Sequence, residues 1–201
     1  MKQRQPLQLS DHYTIPRLLR FAGEEGVAAM GVIMYVNFIF VGIFIGYAIG
    51  SAPVIGFHYG AKNRDELRGL IRRSAIILGT LAIVLTGVSL LASWPLTAIF
   101  VGFDPQLHRM THHGFLIYSL SFLMCGFSIF GSSFFTALGD GMVSALISFL
   151  RTLLFQLAAI FLLPALFGLD GVWIANVAAE TLAAVCSVML VLIFRKKYGY
   201  L

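Results

Sequence analysis

Glu180 is the residue of this 201-residue chain best suited to chemistry. It stands inside an apolar run, about fourteen residues or about 21 Å at helical rise from the run's end near Phe194. An ionisable group at such depth is costly and marks an ion or substrate path by default. Burial favours the neutral acid, which would suit a proton carrier. Asn176 lies one turn earlier and Ser187 two turns later, so the three form a polar stripe. The plainer reading is a packing residue hydrogen-bonded to a neighbouring helix. Arg151 stands about nine residues, or about 13 Å, into the preceding apolar run. It could snorkel to the interface or reach Glu180 or Gln156. Closing the cytoplasmic side suits it better than touching substrate. A third run carries Ser121, Cys125, Ser128, Ser132 and Thr136 on one helical face. Small polar residues at that period suit close packing first and a wetted cavity wall second. The eighteen phenylalanines include Phe127, Phe130, Phe134 and Phe135, which could hold flat organic cations or simply face lipid.

No soluble-enzyme constellation is present: no nucleophile elbow, no His-Glu-x-x-His, no Cys-x-x-Cys and no phosphate loop. His112 and His113 are adjacent and would point different ways on a helix, so they read as an interfacial loop and not a metal site. No cofactor, metal or nucleic acid is expected, and the chain does not read as an enzyme.

The elements that position these residues follow from composition. The chain is 59% hydrophobic and 11% charged, far below the roughly one-quarter charged of soluble domains. Five apolar runs are long enough to span a bilayer, at about 27–57, 74–101, 115–138, 142–167 and 172–194. A polar, basic segment, about 1–25, precedes this transmembrane bundle at 26–201. The fold class is all-α, a polytopic membrane helix bundle. Gly42, Gly46 and Gly50 form one small-residue stripe on the first run, and Ala48, Ala52, Gly56 and Gly60 form another. Such stripes let helices approach closely in lipid, and Pro53 suggests a hinge. Cys125 and Cys186 lie in apolar runs and read as core residues.

Orientation follows from the basic residues. Lys62, Arg64, Arg68, Arg72 and Arg73 occupy the first connector, and Arg195, Lys196 and Lys197 the tail. Both belong in the cytoplasm, and Lys62–Arg73 reads as an amphipathic connector attracted to anionic headgroups. Five spans then put the amino terminus outside, against the charges of Lys2, Arg4, Arg17 and Arg20. A helix missing before the first run would explain that conflict.

Several segments, in order, resemble the multidrug and toxic compound extrusion (MATE) family. Phe21 to Gly31 and Pro53 to Asn63 look like its eighth helix, and Ser132 to Gly139 like the end of its tenth. Ser148 to Arg151 resembles the eleventh, and Phe167 to Trp173 with Ala179-Glu180 the twelfth. The resemblance covers about 21–201 and implies a partial second lobe of a two-lobe exporter. It implies efflux of drugs or organic cations in exchange for protons or sodium ions. Membrane lipid, a small organic cation and a missing first lobe, or a second copy, are the implied partners. The implied location is the plasma or inner membrane, with the carboxyl tail in the cytoplasm. Two other readings stand beside it: a truncated fragment that does not transport, and a lipid-linked saccharide flippase of the wider superfamily. A flippase would place several arginines in a cavity, whereas Arg151 alone lies inside a run.

Overall fold

The computed structural model describes the backbone of residues 9–200 and the side chains of residues 23–200. The described residues form helices joined by short turns. Helix α1 covers Leu9–Gly60, α2 Arg64–Val101, α3 Pro105–Ser119 and α4 Phe122–Ala137. Helix α5 covers Gly141–Phe149, a π-helical turn Leu150–Phe155, and α6 Gln156–Tyr198.

Side-chain caps set the helix starts. Asn63 accepts from the Glu66 amide at 3.2 Å, Asp104 from the Gln106 amide at 2.8 Å, and Asp140 from the Val143 amide at 3.1 Å. Each satisfies a donor that the first turn leaves open. Pro105 follows Asp104 at the first helical position, where its missing N–H is no loss.

Two of these helices are broken inside. Gly23 leaves helical geometry at φ 59° in α1, and Gly168 does so at φ 59° in α6. The break at Gly168 reverses the chain. Arg151 bonds Glu180 across it, although 29 residues of straight helix would separate them by about 43 Å. Ala159 and Ile160 likewise pack with Ala175 and Ala179. The 58 residues from Gly141 to Tyr198 therefore fold as two antiparallel segments. Among the described residues, Gly23–Gly60, Arg64–Val101 and Gly141–Tyr198 are long and apolar enough to cross a membrane, and the bent α3–α4 pair is too if it is one span.

The core is buried as in a membrane protein. Phe44, Phe115, Phe122, Phe134, Phe135 and Trp173 are inside, whereas Phe38, Leu91, Phe103 and Met142 are exposed. Hydroxyls tie helices together, as expected where apolar surface alone gives little association. The Ser89 and Ser119 hydroxyls lie 2.6 Å apart, Tyr47 donates to Ser74 at 2.8 Å, and Ser133 donates to the Ala48 carbonyl at 3.0 Å.

The structure corrects several expectations. The third span is not one straight helix from residue 115, because α3 and α4 meet at a 47° bend. Ser119 donates back to the Phe115 carbonyl at 2.7 Å, and the Leu120 and Ser121 amides bond three residues back instead of four. Both devices tighten and bend a helix. His112 and His113 therefore lie on α3 and not in a loop. The connector 62–73 is not a separate element, since α2 is continuous from Arg64.

Gly42, Gly46 and Gly50 do not pack within the chain. All three are exposed, and a Cβ on any of them would meet nothing within 4 Å. The other stripe packs in part: Ala48 is buried and a Cβ on Gly56 would stand 3.3 Å from the Ala137 carbonyl oxygen, whereas Gly60 is exposed. Pro53 is exposed and helical, so the bend in α1 belongs to Gly23. The segment called polar and basic at 1–25 is helical from Leu9, and residues 1–8 lie outside the described residues.

Candidate functional site

Three helical segments bring Arg151, Glu180 and Ser128 together. Arg151 sits in the π-helical turn, Glu180 on the second half of α6, and Ser128 on α4. A π turn inserts an extra residue, widens the coil and re-aims the side chains that follow, and such turns recur at functional sites. Here it directs the guanidinium across the hairpin closed by Gly168. Arg151 Nε donates to both Glu180 oxygens at 3.1 Å, and Nη2 donates to Oε1 at 2.9 Å. This is a forked, charge-assisted contact. Ser128 Oγ donates to Glu180 Oε2 at 3.2 Å and to the Cys125 carbonyl at 2.9 Å. The Glu180 side chain is 11% exposed and that of Arg151 26%.

Glu180, read from the sequence as a proton carrier or a packing residue hydrogen-bonded to a neighbouring helix, is half of an ion pair. Its charge is compensated where it stands, and the hydrogen-bond partner on the adjoining helix is a cation. Of the two partners open to Arg151, Glu180 is the one it takes. Asn176 is half-buried one turn away, and Ser187 is fully buried, donating to the Phe127 carbonyl at 3.3 Å. Ser187 also sits against Gly131, where a side chain on α4 would collide with its hydroxyl. Close packing is therefore its role in this arrangement.

A second polar group adjoins the pair. Ser132 Oγ lies 3.0 Å from Ser144 Oγ and 2.9 Å from Ser148 Oγ, and Thr136 Oγ1 lies 2.7 Å from Ser144 Oγ. This chain of hydroxyls runs between α4 and α5, and Ser148 is one turn before Arg151. The lower part of the predicted Ser121–Thr136 stripe thus lines the α4–α5 contact, with Ser121, Cys125 and Ser128 buried. Ser144 and Ser148 went unnoticed in the sequence. Their spacing of four, followed by Arg151 three residues on, was the available signal.

At one end of the bundle His113 Nε2 lies 2.9 Å from Asp170, tying α3 to the Gly168 turn. Among the described residues, no cluster of three or more His, Cys, Asp or Glu could hold a metal ion.

The sequence profile of the MatE family matches residues 9–162. The chain belongs to the MatE family. No curated protein matches it. Solved MATE structures share its fold. An outward-facing multidrug resistance MATE family transporter of the MOP superfamily is 18% identical with a TM-score of 0.88, covering 96% of this chain and 44% of that one. An inward-facing form, likewise described, is 19% identical with a TM-score of 0.87, covering 95% and 44%. The Vibrio cholerae MATE transporter VcmN in its bent form is 20% identical with a TM-score of 0.86, covering 95% and 43%. The chain spans less than half the length of these structures. It is a membrane transporter-family chain with the fold of part of a MATE protein, and a transporter is not an enzyme in the usual sense.

Proposed function

We propose that this chain supplies the second lobe of a secondary transporter that exports small organic cations or drugs against a flow of protons or sodium ions. The observation that carries the reading is the Arg151–Glu180 pair, held at mid-depth by a π-helical turn within a MATE-type lobe. A proton or sodium ion arriving at Glu180 competes with Arg151 for the same two oxygens. Loading would free the guanidinium, whose exposed quarter and flanking serines give it somewhere to go. The fold matches inward- and outward-facing structures about equally well, which supports a lobe that rocks as a unit about a central site.

The complete site would need a first lobe, on the same polypeptide or another. The exposed Gly42–Gly46–Gly50 face of α1 is the smooth surface against which it would close. The basic connector and tail argue for a plasma or inner membrane location with the carboxyl tail in the cytoplasm. The test is antiport in proteoliposomes holding both lobes. Arg151→Met/Glu180→Met removes both charges together and should remain folded yet fail to exchange cation for protons or sodium. Undiminished exchange by that variant would overturn the role assigned to the pair.

A further inference from the structure

A cavity of about 450 Å³ opens where α1 ends, α2 begins and α6 ends. That size lies within the range of roughly 300–1,000 Å³ typical of small-molecule sites. Its lining includes Lys62, Arg64, Lys197, His58, Tyr59 and Tyr198. Lys62, Arg64 and Lys197 are cations, and no acid lines it. Asp140, outside the lining, accepts from two of its residues, Lys197 at 3.2 Å and the Tyr198 hydroxyl. Among the described residues, neither Lys62 nor Arg64 has an ion pair.

Two further observations mark this cavity. The Nδ1 atom of His58 is buried without a hydrogen-bond partner. Lys62 adopts φ 56°, a conformation that favours glycine, in the turn just past the end of α1. Its amide bonds the Tyr59 carbonyl and that of Asn63 bonds the His58 carbonyl, the paired closure in which glycine is usual. A lysine held there against backbone preference is the pattern of a residue kept for its side chain.

The apolar surface beneath indicates which anion fits. Val54 lies one turn deeper on the helical face of His58, and Ile193 one turn deeper on that of Lys197. They are 45% and 66% exposed, and Phe57 beside them is 71% exposed. A basic cleft above a lipid-facing apolar strip matches a charged headgroup with its acyl chains. We propose that this cavity binds the phosphate of an anionic phospholipid, with Lys62 and Arg64 as its principal partners. The site stands apart from the Arg151–Glu180 pair and does not depend on the transport reading.

The experiment follows thermal unfolding of the purified 201-residue chain in detergent with added phosphatidylglycerol, phosphatidylcholine or inorganic phosphate. Phosphatidylglycerol should raise the midpoint, and the other two should not. Lys62→Gly should raise the lipid-free midpoint by relieving the backbone, yet lose much of the phosphatidylglycerol shift. With Arg64→Gln added, apparent affinity should fall roughly thirtyfold. Arg72→Gln/Arg73→Gln, outside the cavity, should keep the full shift. An equal shift from inorganic phosphate would replace the lipid by a free anion. A full shift in Lys62→Gly/Arg64→Gln, or an equal loss in Arg72→Gln/Arg73→Gln, would overturn the site.

Discussion

Replacing Glu180 by methionine leaves the Arg151 guanidinium inside the bundle without its partner. The intact contact has three N–H···O bonds of 2.9–3.1 Å. Removing one partner of a buried pair typically costs about 3–5 kcal/mol, while the pair itself adds little over packed apolar residues. Arg151 keeps about a quarter of its side chain exposed, which lowers the expected cost to about 2–4 kcal/mol. Arg151→Met should cost a similar amount by stranding the carboxylate. The Arg151→Met/Glu180→Met double variant should recover most of the loss, giving a coupling energy of about 2 kcal/mol or more. Reversible unfolding of the detergent-solubilised chain, followed by Trp94 and Trp173 fluorescence, measures all four corners of the cycle. Additive single effects, with coupling below about 0.5 kcal/mol, would refute the pairing.

Gly126→Ala should destabilise by about 1–3 kcal/mol, because its Cβ would stand 2.5 Å from the buried Phe44 ring. Gly46→Ala, facing open space, should be neutral or stabilising by up to about 1 kcal/mol in the same unfolding assay. The Asp140 carboxyl is held below its ordinary range, first by the Tyr198 hydroxyl and then by the Val143 amide, with Lys197 adding to the effect. Its stabilising contribution is therefore complete above the ordinary carboxylate pKa and is lost as pH falls through the lowered value. The midpoint gap between the chain and Asp140→Asn should be constant at neutral pH and close below about pH 4. For topology, cysteines at Ala61 and Lys196 should label from one side of a sealed membrane and one at Gln106 from the other. Labelling of all three from the same side would overturn the five-span arrangement.

The fold was legible because lipid imposes simple rules. Uninterrupted apolar length and the basic connectors gave the helical class and the turns near Gly60, Gly102, Gly139 and Gly168. Features that depend on local backbone competition were hidden. Nothing in the run around Leu120 announces a bend, since it arises from Ser119 bonding back to the Phe115 carbonyl. The π turn is equally silent, because an apolar run reads alike at either helical period. Of the site, Glu180, Arg151 and Ser128 were each visible as polar residues at depth. The Arg151–Glu180 contact was one of two open options, and the choice between them, with Ser128 joining, requires the reversal at Gly168 and the extra residue before Gln156. The glycine stripe of α1 finds no partner within the chain, because small residues mark a surface that allows close approach without saying what approaches it.

The central claim is that this chain is one lobe of an exporter whose site is completed by another. Efflux of a fluorescent organic cation from cells lacking related transporters tests it most directly. The 201-residue chain should confer no efflux alone, and coexpression with a MATE first lobe should restore it in a form sensitive to Arg151→Met/Glu180→Met. Gradient-driven efflux by the chain alone would contradict the account.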